Sequence, residues 1–395
     1  METLVQINVK PGVPGRNENQ DLIEFSEQPL SITGFGYLAG TSPNAAVANE
    51  VNFNEPFNEQ PEAGFSGRTP SHPGIISRSN GLELLRQGWL AADLHVHTFY
   101  SYDVAPTAEV DPLRLYQKAK ACGLSFVSFT DHDTMEAYDR IGWTRDDVIT
   151  GVEVKILDRQ RIGHTIHVNV YRLNKKQFAI IQQITRRAQN IELLTEYLKS
   201  ENLPFVFNHP FWHEPGEKFR AEAVVEIVDL FPVLEYNMGR IKKLNRLMLQ
   251  LAESKNKGIV AGTDTHTGDI GRIFTLAPGN SPEEFFESVK RGKSLLVTED
   301  LNFFRIRQEI LKRLEMLADT RKWVMGKKGL RLEAGNDLVD GIVQILTEDA
   351  GGTQGLKKCL VKFMARLVSR TGLPALIYLS KQKRLAGHLE LELGI

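Results

Sequence analysis

Asp93-Leu94-His95-Val96-His97-Thr98 is the stretch on which the fold is decided. In an extended strand successive side chains point to opposite faces, so His95 and His97 share one face while Leu94 and Val96 share the other. A strand with imidazoles on one side and branched apolar residues on the other fits a parallel sheet covered by helices, with a polar site on its inner face. Asp264-Thr265-His266 repeats the device far downstream. An isolated His-x-His is weak by itself, because chance and core packing both produce it.

Working outward, short β-type runs alternate with segments of helical period from about residue 90, the pattern of β/α units. Strands are expected at Leu90–Thr98, Ser125–Asp131, Val148–Lys155, Thr165–Tyr171, Pro204–Asn208, Val233–Asn237 and Gly258–Thr263. Helices are expected at Pro112–Ala121, Lys175–Ser200, Ala221–Val228 and Ile241–Lys255, with Pro282–Arg291 after the last strand. Seven strands in this order predict an α/β barrel with one unit fewer than the usual eight. Residues 1–85 are rich in Asn, Gly, Pro and Ser and read as irregular, with short strands near Leu4–Val9. The barrel takes 86–299, and 300–395 reads as a mostly helical extension. There Phe303–Asp319 is amphipathic, and Leu356–Arg370 gathers Leu356, Leu360, Phe363, Met364 and Leu367 on one face. That face is expected to pack on the domain, with the lysines in water. The Gly-rich run 350–355 separates the two halves of the extension.

Six of the ten histidines, His95, His97, His132, His167, His209 and His266, fall in or just beyond expected strands, with Glu153 and Asp264 beside them. In a β/α barrel the site lies at the C-terminal ends of the strands. Burying so many titratable groups without a cation is too costly to be structural filler. Imidazoles and carboxylates without thiolates suit Zn, Mn or Fe. The ligands exceed what one ion needs, so two or three divalent ions are expected, with Glu153 as the bridge. Arg272 is the preferred phosphate clamp and Arg240 a second candidate, since a guanidinium pairs with two phosphoryl oxygens. Asp264 and His266 are candidates for handling the proton. Asp131 is read as orienting a ligand, His164 as structural, and His213 and Lys155 as weaker candidates.

The motifs Asp93–Thr98, Thr130-Asp131-His132-Asp133, Gly151-Val152-Glu153, His167 within a strand, Asn208-His209-Pro210 and Gly262-Thr263-Asp264-Thr265-His266 together resemble the PHP (polymerase and histidinol phosphatase) domain family over about residues 90–297. Leu234-Glu235-Tyr236-Asn237 looks like that family's penultimate strand. The resemblance implies a distorted seven-stranded (β/α)7 TIM-like barrel and a trinuclear metal site. It implies one ion on His95, His97, Glu153 and Asp264, a second on Glu153, His167 and His209, and a third on His132, His266 and Asp103. Some members carry histidine where this chain has Asp103; a hard carboxylate there either favours Mn or Fe over Zn or leaves the third site weaker, so two ions and three are both open.

Composition narrows the function further. Hydrophobic residues at 42% and charged residues at 25% are ordinary for a globular enzyme, and a net charge of -1 argues against a chain built to coat nucleic acid. Residues 301–395 nevertheless carry 17 Lys and Arg against 10 Asp and Glu. Cys122 and Cys359 are too few for a disulfide framework, and Met1–Lys10 lacks the form of a secretory signal, so a cytoplasmic location without membrane attachment is expected. The expected activity is hydrolysis of a phosphoric ester by metal-activated hydroxide, a small phosphomonoester or nucleotide before all. The rivals are a nuclease or phosphodiesterase gripping nucleic acid through the basic extension, an amidohydrolase-type enzyme, and a non-catalytic scaffold with a structural metal centre.

Overall fold

In the computed structural model the described residues are 5–7, 25–27, 74–214, 216–325 and 353–393; most of the segment read as irregular and the start of the Gly-rich run lie outside them. The chain divides into Met1–Thr69 and Pro70–Ile395. In the first, β1 (Val5–Ile7) pairs antiparallel with β2 (Phe25–Glu27).

In the second, β3 (Ile75–Ile76) and α1 (Arg78–Arg86) precede β4 (Leu90–Val96). α2 (Pro112–Ala121) starts where the Asp111 carboxylate accepts from Leu113 N and Pro112 takes the first helical position. There follow β5 (Phe126–Phe129), α3 (Glu136–Ile141), β6 (Gly151–Ile156), β7 (Ile166–Tyr171), α4 (Lys175–Gln183), α5 (Ile191–Ser200), β8 (Phe205–Phe207) and α6 (Ala221–Ile227). β9 (Val233–Asn237), α7 (Lys242–Ser254), β10 (Gly258–Gly262), β11 (Phe274–Ala277), α8 (Pro282–Lys290) and β12 (Leu295–Val297) complete the α/β part. All seven expected strands form. The helix expected over Lys175–Ser200 is instead two, because a π turn at Ile184–Ala188 ends with Gln189 in the left-handed region at φ 49°. Leu94 packs with Phe285, Phe286 and Val289 of α8 on the outer face. His95 and His97 therefore face inward.

The expected closed barrel is corrected in two respects. The strands form two five-stranded sheets, β10-β9-β8-β7-β6 and β3-β12-β11-β4-β5, joined among the described residues by isolated bridges and side-chain bonds rather than by a continuous ladder. The direction is also mixed, because β7 runs antiparallel to both β6 and β8. Residues 157–165 are too few to carry a helical crossover, so the chain must turn back beside β6. The second sheet also recruits β11, antiparallel to β4 and β12.

Beyond β12 the chain is helical: α9 (Phe303–Ala318), α10 (Thr353–Arg370) and α11 (Leu373–Leu393). Lys362 of α10 donates to Ala318 O at 3.0 Å, Arg307 of α9 donates to Arg370 O, and Tyr378 and Gln382 of α11 both donate to Gly239 O. The packing expected for α10 is reversed. Leu360 and Phe363 are each 62% exposed and Met364 and Leu367 about half exposed, whereas Lys362 and Arg366 are half-buried. The side chain of Leu356 lies outside the described residues. Among the described residues no helix is long and apolar enough to cross a membrane.

The gap between β5 and β6 is filled by a side chain. Tyr138, fully buried, accepts from Phe129 N and Gly151 N at 3.1 and 2.7 Å and lies 2.7 and 3.0 Å from Phe129 O and Ile149 O. One hydroxyl thus stands in for the missing ladder. Tyr138→Phe strands two buried amides, and an expected loss of about 1–3 kcal/mol follows for unsatisfied groups of this kind. Urea denaturation measures it, and an unchanged midpoint would show that the hydroxyl does not hold the seam.

Candidate metal centre

Each strand end brings a polar side chain to the same place. β4 presents His95 at its end and His97 just beyond, and the turn after β5 presents His132. Glu153 comes from within β6, and His209 and Asp264 follow β8 and β10. His167 is the exception: it lies near the start of its strand. It still reaches the centre because β7 is reversed, which sets His167 opposite Lys155 near the end of β6.

Glu153 is the hub. Its Oε2 lies 3.2 Å from His95 Nε2, His97 Nε2 and His132 Nδ1, and its Oε1 lies 3.0 Å from His167 Nδ1 and 3.4 Å from His209 Nε2. Asp264 Oδ1 stands 3.1 Å from His97 Nε2 and 3.4 Å from His95 Nε2. Three overlapping groups can hold an ion: His95, His97 and Glu153; His132, Glu153 and His167; and His97, Asp103, His132 and His266. All nine residues read as ligands from the sequence are brought together. His132 Nδ1 and His167 Nε2 are buried and make no well-aligned hydrogen bond among the described residues, although Glu153 Oε2 and Glu214 Oε1 lie 3.2 and 3.8 Å away, which leaves both nitrogens open to a cation. Donor set, spacing and open nitrogens fit divalent ions.

A second layer fixes the rings. His95 Nδ1 meets Glu235 Oε1 at 2.6 Å, His97 Nδ1 meets Ser101 Oγ at 3.2 Å, and His266 Nδ1 meets Asp264 O at 2.9 Å, so each Nε2 is turned to the centre. Asn208 donates to Glu153 Oε1, while Asn237 donates to both Glu235 and Asp264. Asp131 orients the ligand strand as read: its two oxygens accept from Thr98 N and Thr98 Oγ1, next to His97. Asp93 does the same for Thr263, beside Asp264. Glu235 and Asn237 carry no assigned role in the sequence reading. Their i, i+2 spacing on β9 is the same signal that marked His95 and His97.

The backbone is strained where ligands are delivered. His209 (φ 28°) and Asp264 (φ 50°) both occupy positive φ without being glycine, as does Asp133 (φ 53°) after His132. Gly262 has the opposite task of leaving room. A Cβ there would lie 2.6 Å from His95 Cβ and closer still to Glu235 Oε1.

The electrostatics call for positive charge. Burial alone would lower the His97 imidazole, but Asp264 and Glu153 push it up to about 10; in His167 Glu153 likewise outweighs burial, to about 9. Burial wins at His132, down to about 3. Burial would raise Glu153, yet His95, His132 and His167 hold it well below the carboxylate range.

The other candidates lie at the rim or apart from the centre. Arg272 pairs with Glu299 at 2.7 Å and Asp269 at 3.1 Å. Arg240 lies over the Trp212 ring, which packs on His167 and His209. Lys155 faces the Tyr102 ring, itself stacked on His132. His164 is buried against Phe219, and His213 bonds Glu214 O.

A PHP domain model matches residues 93–299. No curated protein sequence matches the chain. Among solved structures, PsfC from Pseudomonas syringae aligns at 16% identity over 58% of this chain and 99% of its own, with a TM-score of 0.44. A two-domain protein from Bacteroides vulgatus containing a predicted PHP-like metal-dependent phosphoesterase aligns at 16% identity over 62% and 75%, TM-score 0.39. A lesion-specific endonuclease from Pyrococcus furiosus aligns at 16% identity over 53% and 57%, TM-score 0.38.

Two outcomes are expected of the centre. Because His97 and His167 hold protons up to about 10 and about 9, a cation must displace them. Metal affinity should therefore fall as pH drops below about 10, and more steeply below about 9, with proton release on binding. Competition titration against a coloured chelator at several pH values reads this, and a pH-independent affinity would contradict it. Gly262→Ala should displace His95 or Glu235 and weaken metal binding by ~10–100-fold, the usual effect of disturbing the groups behind the ligands. Retained affinity in that variant would show that the close approach is not needed.

Proposed function

The chain belongs to the PHP domain family, a family of metal-dependent phosphoesterases, and from that premise we propose that it hydrolyses a small phosphomonoester or nucleotide with two divalent ions that Glu153 and the imidazoles around it would hold. The observation that carries this is the division of labour on one buried carboxylate: Oε2 serves His95, His97 and His132, and Oε1 serves His167 and His209. His95, His97, Asp264 and one Glu153 oxygen would hold one ion, and His167, His209 and the other oxygen a second. Ions held this way would make hydroxide available near neutral pH and would offset charge on the transferring phosphoryl group.

The chain's own residues do the rest. The centre opens on the side of Asp264 and His266, whose side chains are 19% and 12% exposed while Glu153 and His97 are closed off. Phosphoryl oxygens would approach from there. His266, with its ring held by Asp264 O and its Nε2 on the carboxylate of Asp103, would hand a proton to the leaving oxygen. Asp264, anchored by Asn237, is the group to receive one from the attacking water. Arg240, with Nε buried and unpartnered among the described residues, is a candidate to grip phosphate at the Trp212 side. Arg272 can do so only by giving up Glu299 and Asp269.

Metal-replete protein assayed against monoesters, diesters and short oligonucleotides tests the proposal. Turnover of monoesters is expected, with a loss of ~100-fold or more in His97→Ala. Activity surviving that substitution unchanged would show that this centre is not responsible, and preference for oligonucleotides would favour the nuclease reading.

A further inference from the structure

Beyond the match at 93–299, α9 reaches back over the mouth of the centre. Glu309 accepts from Thr267 Oγ1 at 2.9 Å, one residue past His266. One turn further on, Arg313 donates through Nη2 to Asp103 Oδ2 at 3.1 Å and to Asp103 O at 3.3 Å. Its Nε is buried without a partner among the described residues. No motif in the sequence pointed to this arginine.

The corner it joins differs from the rest of the centre. Ligands about 2.0–2.1 Å from a shared tetrahedral ion stand roughly 3.3 Å apart. Around Glu153 and Asp264 the spacings are 3.0–3.4 Å. At Asp103 they are not. Oδ2 lies 2.7 Å from His266 Nε2, the length of a direct hydrogen bond, and 4.0 Å from His132 Nε2. Oδ1 accepts from Ser101 Oγ at 2.9 Å, and Oδ2 is shared by His266 and Arg313. Both oxygens of Asp103 thus accept from protein donors, and a guanidinium stands beside them where it would repel a further cation.

We propose that Arg313 takes the place of a third metal ion: the chain binds two ions, and the Asp103–His266–Arg313 corner carries its positive charge on the protein. This rests on the two-ion reading above and departs from the trinuclear set that the resemblance implied. Asp103 then serves to hold Arg313 and His266 at the mouth rather than to ligate metal. The centre is complete only when α9 is docked.

Counting metal on the full-length protein tests this. Wild type, Arg313→Ala and Arg313→Lys are stripped with chelator, reloaded with manganese or zinc, desalted and measured by mass spectrometry, with thermal melting as the check on folding. Two ions per chain are expected in wild type and in Arg313→Lys. In Arg313→Ala a third should enter, and adding Asp103→Ala to that variant should remove it. Three ions in wild type overturn the proposal, as does a folded Arg313→Ala that still holds two. Should Arg313→Ala fail to fold, Arg313→Gln, which removes the charge and keeps the length, takes its place under the same criteria. Two ions without phosphoester turnover would sink the proposed function and leave this inference standing.

Discussion

A single buried carboxylate facing five imidazoles is the condition to which the rest of the molecule answers. Glu153 cannot be left among apolar neighbours, since an unpaired buried charge is prohibitive, and five neutral rings cannot satisfy it without some cation or proton between them. Each neighbouring strand is therefore recruited to contribute something. β4 gives two rings, the turns after β5, β8 and β10 give His132, His209 and the Asp264–His266 pair, and β7 gives His167 from its near end. The strain at His209 and Asp264 and the bare Gly262 beside His95 are local costs of bringing side chains from distant strands to one point.

Holding the rings in place takes a second set of residues. Glu235, Ser101, Asn208 and Asn237 fix rings and carboxylates, while Asp93 and Asp131 tie down the segments that carry them. Burial pushes Asp93 up to about 7, against the bonds it accepts from Thr263 and His95. Such an arrangement is rigid by construction, because each carboxylate is used by two or more donors and none can shift alone.

Much of this was legible in the sequence, and the gaps have physical causes. Period two around His95 and His97 separates a site face from a helix face, and Leu94 does pack under α8 as that period requires. Strands are written locally in runs of branched and aromatic residues. Strand direction is not, and only the shortness of 157–165 hinted that β7 must turn back. β11 and β12, of four and three residues, went unread, as did the two-residue β3. Arg313 was invisible because its partner Asp103 lies far off in the chain and an arginine on an amphipathic helix looks like surface. α10 was misjudged for a related reason: an apolar stripe records that a face avoids water, not which surface covers it.

The reversal of β7 has an effect on how the family architecture can vary. Residues 157–165 join β6 to β7 on the side where the ligands converge. The connection carries none of the nine ligands and is pinned by the buried Asp158, Ile162 and His164, with the Asp158 carboxylate accepting from Ile191 N, so its exposed residues 159–161 can vary while Glu153 and His167 keep their register.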